Sequence, residues 1–339
     1  MMRRVLAGTV LGLLVGAALS DSATAQTRGT MERVRSRGEL RCGVLGTIFG
    51  FSFADSSGTL RGLDVDSCRA IAAAVLGDAN KARMVVLPTQ SRFTALQSGE
   101  VDVLYANTTW TYGRDVGLGI SFTGVNYFDG QGFLVSKASG ITHGEQLGGA
   151  TICLLAGGSA EQNMGDWFRA RKLSFTPVIL EQQQEMVNAF ASGRCDAVTQ
   201  DGSALAAHRL RLGADKYVIL PEVVGTEPLG GSVAKGDDQW FYVVRWVGNA
   251  QVIAEALGVS SGNIDGMKNN ADPNIRRLIG QEGSLGKQLG LSDTWSYDAV
   301  KQVGNYGEMW DRDIGPTGVE RGRNRVWTQG GLQFSPPLR

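Results

Sequence analysis

The chain contains two similar segments, and this repetition limits the folds that are available to it. Residues 91–109 read SRFTALQSGEVDVLYANTT, and residues 185–203 read EMVNAFASGRCDAVTQDGS. Each segment passes through an amphipathic helix, then x-S-G-x-x-D, then a short apolar strand that ends in polar residues. Strands that alternate with helices predict a parallel sheet with helices on its faces. The repetition therefore predicts an α/β protein with two similar lobes.

Further strands and helices complete each predicted lobe. In the first lobe, strands at residues 40–45, 82–88 and 101–106 alternate with helices at residues 62–77 and 91–100. Asp64 or Asp66 is a candidate N-terminal cap for the first of these helices. In the second lobe, the predicted strands are residues 150–158, 174–180 and 195–201, and the predicted helices are residues 159–172, 181–194 and 202–213.

Two further segments are predicted to cross between the lobes, at residues 129–137 and 227–237. Beyond Asp237 the sequence is mainly helical to about Arg325. We therefore expect lobe 1 over residues 30–133, lobe 2 over residues 134–228, and a return to lobe 1 with a C-terminal helical extension over residues 229–339.

The first 25 residues have the pattern of a secretory signal peptide. Arg3 and Arg4 precede an apolar run over residues 5–19, and Ala23-Thr24-Ala25 is an A-x-A cleavage signal. The run is short for a membrane-spanning helix, although an uncleaved anchor stays open as an alternative. We expect the mature chain to be exported and not inserted in a membrane.

Charge and motifs exclude several classes of function. Without Arg3, Arg4 and Asp21, the 33 basic and 33 acidic residues of the chain leave a net charge of −1. A near-neutral chain gives no reason to expect a nucleic acid as partner. The sequence contains no G-x-x-x-x-G-K-[ST] phosphate loop. GGSAE at residues 157–161 is not a G-x-S-x-G nucleophile elbow, because its fifth residue is Glu161. No cofactor is predicted.

Four cysteines fit an oxidising compartment, and they allow three disulfide connectivities. The local pairs are Cys42–Cys68 and Cys153–Cys195, and each would lie within one lobe. Buried free thiols are the alternative. A metal site is not predicted, because the sequence has no C-x-x-C and its two histidines stand far apart.

Polar residues follow the predicted strand in both repeats, as ANTTWTYGRD at residues 106–115 and as VTQDGS at residues 198–203. In open α/β sheets, ligands bind outside the carboxyl ends of the strands. Two lobes that face each other across paired crossovers form a cleft at those ends, with a hinge. The sequence therefore predicts a ligand site between the lobes.

Several phrases of the sequence resemble those of a known family. GLDVDSCRAIAAAVLG, RFTALQSGEVDVL, NTTWTYGRD, YFDGQGFLV and SGRCDAVTQD look like the polar amino-acid solute-binding proteins of bacterial ABC importers, solute-binding protein family 3. VKQVGNYGEMWDRDIG and the tail GGLQFSPPLR are most similar to the longer, general L-amino-acid-binding periplasmic proteins. The resemblance implies a type II periplasmic-binding-protein fold, in which two lobes joined by two crossover strands close on an amino acid.

The resemblance also implies roles for residues in lobe 1. Arg114 stands where the family's arginine clamps the α-carboxylate of the ligand. Thr109 and Asn107 occupy positions whose side chain or backbone helps to bind the zwitterion. The planar guanidinium of arginine suits this role, because it meets a carboxylate with two parallel hydrogen bonds. The alternative is that Arg114 is an ordinary surface residue.

In lobe 2, the resemblance places the carboxylate against the loop AGGSAE, with Gly158 and Ser159 as ligand-binding residues. Asp201 stands where the family's aspartate receives the α-ammonium. A closed cleft excludes water, so the charges of the ligand need fixed partners there. The alternative is that Asp201 only caps a helix.

The chain departs from the family pattern at positions that would shape the side-chain pocket: Leu45, Ile48, Thr89, Gly158 and Ala160. A site without polar groups for one particular side chain discriminates weakly between ligands. We therefore expect broad specificity, with several L-amino acids binding within about tenfold of each other and D-isomers binding more weakly.

The resemblance implies a periplasmic, non-enzymatic, monomeric receptor that delivers amino acids to an inner-membrane ABC permease. One alternative is an enzyme on the same fold, similar to cyclohexadienyl or arogenate dehydratases, which need an acid–base group facing the cleft. Glu161 is the candidate for that group, although an acidic residue at a helix start also has a simple capping explanation. A ligand-sensing module fused to signalling machinery is a further alternative.

Overall fold

The computed structural model describes residues 29–339, so the predicted signal peptide lies outside the described residues. Its strands, in chain order, are β1 (Leu40–Val44), β2 (Thr47–Ile48), β3 (Ser52–Ala54), β4 (Leu60–Arg61), β5 (Ala82–Val86), β6 (Val103–Leu104), β7 (Ile120–Phe122), β8 (Tyr127–Ser136), β9 (Thr151–Leu155), β10 (Thr176–Leu180), β11 (Ala197–Asp201), β12 (Tyr217–Ile219), β13 (Gly225–Leu229) and β14 (Ser232–Ala234).

The α-helices of the same residues are α1 (Thr30–Arg37), α2 (Leu63–Leu76), α3 (Arg92–Gln97), α4 (Tyr112–Gly117), α5 (Ala160–Ala170), α6 (Gln183–Ala191), α7 (Gly202–Leu212), α8 (Asp238–Ala256), α9 (Pro273–Leu278), α10 (Leu285–Leu289), α11 (Trp295–Val303) and α12 (Tyr306–Met309). A π-helical turn at Trp310–Ile314 follows α12. None of these helices is long and apolar enough to cross a membrane.

Two mixed sheets form the centres of the two lobes. In lobe 1 the strand order is β5-β1-β6-β14-β7, and in lobe 2 it is β10-β9-β11-β8-β12, with β13 also paired to β8. The strands that were predicted to alternate with helices are parallel. Strand β1 runs parallel to β5 and β6, and β9 runs parallel to β10 and β11. However, β14 and β8 run antiparallel to their neighbours. The predicted parallel arrangement is therefore confirmed for the strands that alternate with helices, and the strands that arrive from the other lobe run against it.

The direction of these two strands follows from the chain path. The parallel strands of each lobe have their carboxyl ends at the cleft. A chain that arrives from the other lobe enters its new sheet from the cleft side, so it runs in the opposite direction. Strand β8 arrives in lobe 2 in this way, and β14 arrives in lobe 1.

An antiparallel ribbon of β8 and β13 connects the lobes. Its register runs from Tyr127 opposite Leu229 to Gln131 opposite Gly225. From Gln131 onward, β8 also pairs with β11, where Gln131 lies opposite Asp201. Lobe 1 contacts the ribbon through the backbone N–H of Trp110, which donates to the Pro228 carbonyl at 2.8 Å. The connecting strands are therefore anchored at both lobes.

Both predicted disulfide pairs are confirmed. Cys42 on β1 is bonded to Cys68 on α2, with their Cα atoms 6.1 Å apart. Cys153 on β9 is bonded to Cys195, just before β11, with their Cα atoms 5.7 Å apart. Each disulfide joins elements of one lobe, and each lies within that lobe's buried apolar core.

The start of α2 differs from the sequence-based expectation. Its N-terminal cap is Gly62, and neither Asp64 nor Asp66 has that role. Gly62 has φ +127°, and a Cβ atom there would lie 2.2 Å from the Phe51 carbonyl oxygen. Only glycine fits this turn. The two aspartates fall inside the first helical turn, where both are buried.

Candidate functional site

A cleft lies between the carboxyl ends of the parallel strands of the two lobes. The space between its atoms amounts to about 430 Å³, part of which is open to solvent. The side chains and backbone that line it come from both lobes: Leu45, Thr89, Arg92, Asn107, Thr109, Leu155, Gly158, Ser159, Ala160, Thr199, Gln200 and Asp201.

Asn107 and Asp201 meet across this cleft. They occupy equivalent positions in the two repeated segments, 94 residues apart, and the Asn107 side-chain amide donates to the Asp201 carboxylate at 2.5 Å. The Asn107 side-chain oxygen, Oδ1, is buried and has no hydrogen-bond partner. The two strand ends thus present a carboxylate and an unpaired amide oxygen to the same space.

The backbone around Asn107 explains how the side chain reaches the cleft. Asn107 has φ +48°, in the left-handed region that asparagine tolerates better than most residues. Its backbone N–H donates to the Asp64 carboxylate at 2.9 Å. Burial raises the pKa of Asp64 to about 7, against the hydrogen bonds from Asn107 and Asn126 that lower it. Helix α2 therefore holds the cleft loop through a buried carboxyl group.

Asp201 lies at the start of a helix, but its side chain does not cap that helix. Asp201 is the N-cap residue of α7, yet its side chain makes no capping hydrogen bond. Burial raises its pKa well above the usual range, and the nearby carboxylates of Asp129 and Glu227 raise it further. The positive charges of Arg92 and Arg114 act in the opposite direction. A cation placed beside Asp201 would stabilise its ionised form.

Thr109 and Ser159 bring hydroxyl groups from opposite lobes to 3.3 Å from each other. Both hydroxyls also donate to one oxygen of Glu227, from Ser159 at 2.8 Å. Glu227 is fully buried on β13, and the side-chain amide of Asn163 donates to its other oxygen at 2.6 Å. A hydroxyl has a single hydrogen to donate. The oxygens of Thr109 and Ser159 therefore remain as acceptors towards the cleft.

Arg114 lies at the edge of this cleft and is not one of the residues that line it. Its guanidinium donates to the Thr109 carbonyl at 2.9 Å and to the Gly157 carbonyl of lobe 2 at 3.4 Å. It also lies 5.3 Å from the ring centre of Phe93. Burial lowers the pKa of Arg114, while Glu227 and Asp201 raise it. Arg114 thus reaches the loop that precedes α5.

Gly158 and Ser159 form the end of that loop, with Ser159 as the N-cap residue of α5. The Ser159 side chain makes no capping hydrogen bond, and its hydroxyl donates to Glu227. The first backbone N–H groups of a helix have no partner within the helix, and they attract anions. The cleft thus contains the uncapped N-terminus of an 11-residue helix.

Sequence reasoning missed Arg92 as a cleft residue and Glu227 as the buried partner of the Thr109 and Ser159 hydroxyls. Arg92 is the first residue of α3, and its side chain is only 3% exposed. Its position in the sequence could have indicated this role, because Arg92 follows β5 at the same carboxyl edge of the sheet as Asn107. Glu227 was noted only as the start of a crossover. Nothing in the sequence marks it as buried between hydroxyl groups.

The aromatic residues near the strand ends do not line the cleft. Trp110 stacks on Phe122, and Tyr127 stacks on Trp310. Tyr112 is 83% exposed. Among the positions that depart from the family pattern, Ile48 is fully buried and the other four line the cleft. Glu161, the candidate acid–base group, is exposed and does not line the cleft.

Comparison of the sequence with known proteins gives matches over its whole length. A family model described as bacterial extracellular solute-binding proteins, family 3, matches residues 40–249. The putative amino-acid ABC transporter-binding protein YhdW of Escherichia coli (strain K12) is 43% identical over 343 residues, with both chains covered in full. The general L-amino acid-binding periplasmic protein AapJ of Rhizobium johnstonii is 43% identical and covers 97% of this chain and 99% of its own. The glutamate/glutamine/aspartate/asparagine-binding protein BztA of Rhodobacter capsulatus is 44% identical, covering 94% of this chain and 95% of its own.

Solved structures match the fold. An ABC transporter periplasmic binding protein from Brucella ovis, with glutathione bound, has a TM-score of 0.90 and 46% identity, and covers 92% of this chain and 100% of its own. An ancestral arginine-binding protein bound to arginine has a TM-score of 0.56 and 28% identity, and covers 62% of this chain and 91% of its own.

Proposed function

The chain belongs to the bacterial extracellular solute-binding proteins of family 3, and from this membership we propose that it binds L-amino acids in the periplasm and delivers them to an ABC importer. Its full-length relatives carry names of amino-acid-binding proteins of ABC transporters. In this proposal the protein acts as a monomer, and its macromolecular partner is an inner-membrane permease.

The observation that carries the proposal is the pair of acceptors at the two strand ends. Asp201 and the unpaired Asn107 Oδ1 are buried together, and within residues 29–339 no cationic side chain lies within 4.0 Å of the Asp201 carboxylate. An α-ammonium group supplies both a positive charge and three N–H donors. The acceptor oxygens of Thr109 and Ser159 add further partners for it.

The α-carboxylate has a complementary place at the start of α5. The uncapped helix N-terminus at Gly158 and Ser159 attracts an anion, and the guanidinium of Arg114 lies beside the preceding carbonyl of Gly157. Arg114 from lobe 1 and Asp201 from lobe 2 then meet the two charges of one zwitterion. Both engage it only when the lobes are closed.

Closure is part of this proposal, with the lobe boundaries at residues 133 and 228 and a hinge in residues 130–135 and 229–234. A ligand that contacts both lobes binds the closed form better, and it therefore shifts the equilibrium towards closure. The contacts that would be lost on opening include the Asn107–Asp201 bond and the 3.3 Å approach of Thr109 to Ser159.

We do not propose catalysis. A dehydratase on this fold needs an acid–base group that faces the cleft, and the candidate Glu161 is exposed outside it. The relatives are named as binding proteins of ABC transporters. An assay for product formation from prephenate and arogenate separates the two functions. Turnover of either compound would show that the protein is not only a receptor.

Calorimetry of unfolded, ligand-stripped and refolded protein against the twenty L-amino acids tests the proposal. We expect binding of at least one amino acid, and a loss of about 100-fold or more on Asp201→Asn, since breaking a buried ion pair costs about 3–5 kcal/mol. Asp166→Asn is the matched control, because Asp166 is exposed on α5 of the same lobe. Absence of binding by every amino acid would reject the proposed function.

A further inference from the structure

Glu227 is a buried acidic residue that contacts side chains of both lobes. It lies on the connecting strand β13 and is fully buried. Its carboxylate accepts from the Thr109 hydroxyl of lobe 1. From lobe 2 it accepts from the Ser159 hydroxyl at 2.8 Å and from the Asn163 amide at 2.6 Å. Within residues 29–339 no cationic side chain lies within 4.0 Å of it, so uncharged donors hold this carboxylate.

The backbone fixes Glu227 beside Thr109. Thr109 forms an isolated antiparallel bridge with Leu229, two residues after Glu227. The next backbone N–H, that of Trp110, donates to the Pro228 carbonyl at 2.8 Å. Because the two chain segments are paired at these positions, the Glu227 carboxylate is held against the cleft end of lobe 1.

Asn163 fixes which oxygen of Glu227 faces which partner. Its amide nitrogen donates to Glu227 Oε1 at 2.6 Å and to the Gln131 side-chain oxygen at 2.9 Å, which uses both of its hydrogens. Gly225 leaves room for this amide, because a Cβ atom there would lie 2.7 Å from the Asn163 nitrogen. Glu227 Oε1 is therefore assigned to Asn163, and Oε2 accepts from the two hydroxyls.

The two hydroxyl groups transmit the influence of Glu227 to the cleft. Thr109 and Ser159 line the cleft, whereas Glu227 does not. A hydroxyl group has a single hydrogen, and here both hydrogens are donated to Glu227. The two oxygens can then offer only lone pairs to a ligand. Such a pair of acceptors favours an ammonium group, which only donates, and opposes a group that only accepts.

We propose that Glu227 is a positioning residue that makes the cleft select the ammonium group of its ligand, by holding the hydrogens of the Thr109 and Ser159 hydroxyls away from the cleft. This inference rests on the proposed function, in which Asp201 receives the α-ammonium. It predicts that Glu227, in addition to the charge of Asp201, discriminates an L-amino acid from the L-2-hydroxy acid with the same carbon skeleton. The hydroxyl of such an acid both donates and accepts, so it depends less on the orientation of the two hydroxyls.

Replacing Glu227 with glutamine is expected to reverse the two hydroxyl groups. Because Asn163 donates to the Oε1 position, the oxygen of the new side chain should face Asn163, and its NH₂ group should face Thr109 and Ser159. The hydroxyls then accept from this NH₂ group, and their hydrogens turn towards the cleft. The substitution keeps the shape of the side chain.

Matched ligand pairs test this reversal by calorimetry on ligand-stripped protein. The pairs are L-alanine with L-lactate, L-leucine with L-2-hydroxy-4-methylpentanoate, and L-glutamate with L-2-hydroxyglutarate. For the pair whose amino acid binds best, we expect Glu227→Gln to weaken the amino acid by about tenfold or more and to change the hydroxy acid by less than about threefold. Glu145→Gln is the matched control, because the Glu145 side chain is 70% exposed in lobe 2.

Ser159→Ala provides a second measurement that leaves Glu227 in place. Removal of this acceptor is expected to weaken the amino acid by about tenfold and the hydroxy acid by less than about threefold. Because Glu227 is proposed to act through the hydroxyls, Glu227→Gln should weaken the amino acid less in the Ser159→Ala background than in wild type. A residue with only a structural role would show the same effect in both backgrounds.

The outcomes separate this inference from the proposed function. An amino-acid affinity of Glu227→Gln within about threefold of wild type overturns the inference, and so does equal weakening of both members of the pair. If Glu227→Gln does not fold, an unchanged amino-acid affinity of Ser159→Ala overturns it. In each of these cases the proposed function stands, whereas failure of every amino acid to bind the wild-type protein overturns the proposed function itself.

Discussion

Replacing Asp64 with asparagine is expected to change how the stability of the protein depends on pH. Asp64 is fully buried in the first turn of α2, where it accepts the backbone N–H of Asn107. Burial raises its pKa from 3.8 to about 7. Asparagine has nearly the same shape and keeps an oxygen acceptor for Asn107, but it carries no ionisable group.

The sign of the effect follows from proton binding. Between pH 4 and pH 7 the folded state holds a proton on Asp64 that the unfolded state has lost, so stability falls as pH rises through this window. At 1.36 kcal/mol for each pH unit, the full loss from a pKa shift of 3.8 to about 7 is about 4 kcal/mol. Between pH 5 and pH 8 it amounts to about 3 kcal/mol.

Urea unfolding of wild type and Asp64→Asn at pH 5, 6, 7 and 8 measures this difference. We expect the variant to gain about 3 kcal/mol relative to wild type over that range, with most of the change below pH 7. Asp166→Asn on the exposed face of α5 should show no such trend. A difference between Asp64→Asn and wild type that stays constant with pH would show that Asp64 is ionised throughout.

Further predictions concern the charges of the cleft and a second buried group. Arg114→Ala is expected to weaken the best ligand by about 10²- to 10³-fold, and a calorimetric loss under threefold would remove Arg114 from the site. Because the raised pKa of Asp201 opposes its ionisation in the empty cleft, binding of an ammonium should release a proton. Affinity should then fall by up to about tenfold per pH unit on acidification, and calorimetry in buffers of different ionisation enthalpy detects the proton. Small-angle scattering should show a smaller radius of gyration with saturating ligand, and identical curves with a demonstrated ligand would contradict the hinge. Burial lowers the pKa of His208 from 6.5 to about 3, so its contribution to stability is lost as pH falls below 6.5, by about 2 kcal/mol between pH 7 and pH 5. His208→Gln should lack that loss in urea unfolding, and an unchanged slope would show that His208 is not buried as a neutral base.

The parts of the fold that depend on local pattern were predictable from the sequence. Alternating strands and helices gave two lobes, and the repeated segments identified equivalent strand ends. Since the carboxyl ends of the strands in both lobes were expected to face one cleft, the segments that contain Asn107 and Asp201 were expected at one site, and these two residues are in contact. The local pairing of the cysteines followed from the same division into lobes.

The buried charges were not predictable in this way. Asp64 reads as a helix cap because aspartate near a helix start usually caps it, whereas the tight approach of Gly62 to Phe51 moves the helix start by two residues. Arg92 and Glu227 are charged residues, and such residues are mostly exposed in folded proteins. Here both are buried, and Glu227 accepts hydrogen bonds from hydroxyl groups of both lobes, which a local pattern does not describe.

Breadth of specificity follows from how the lining of this cleft is divided between head-group contacts and apolar surface. The head-group contacts at Asp201 and at the start of α5 are common to all L-amino acids, and they predict binding of several of them. Leu45 and Ala160 line the remaining space without a polar side chain, so they oppose few ligands. Neutral amino acids should therefore bind within about tenfold of each other.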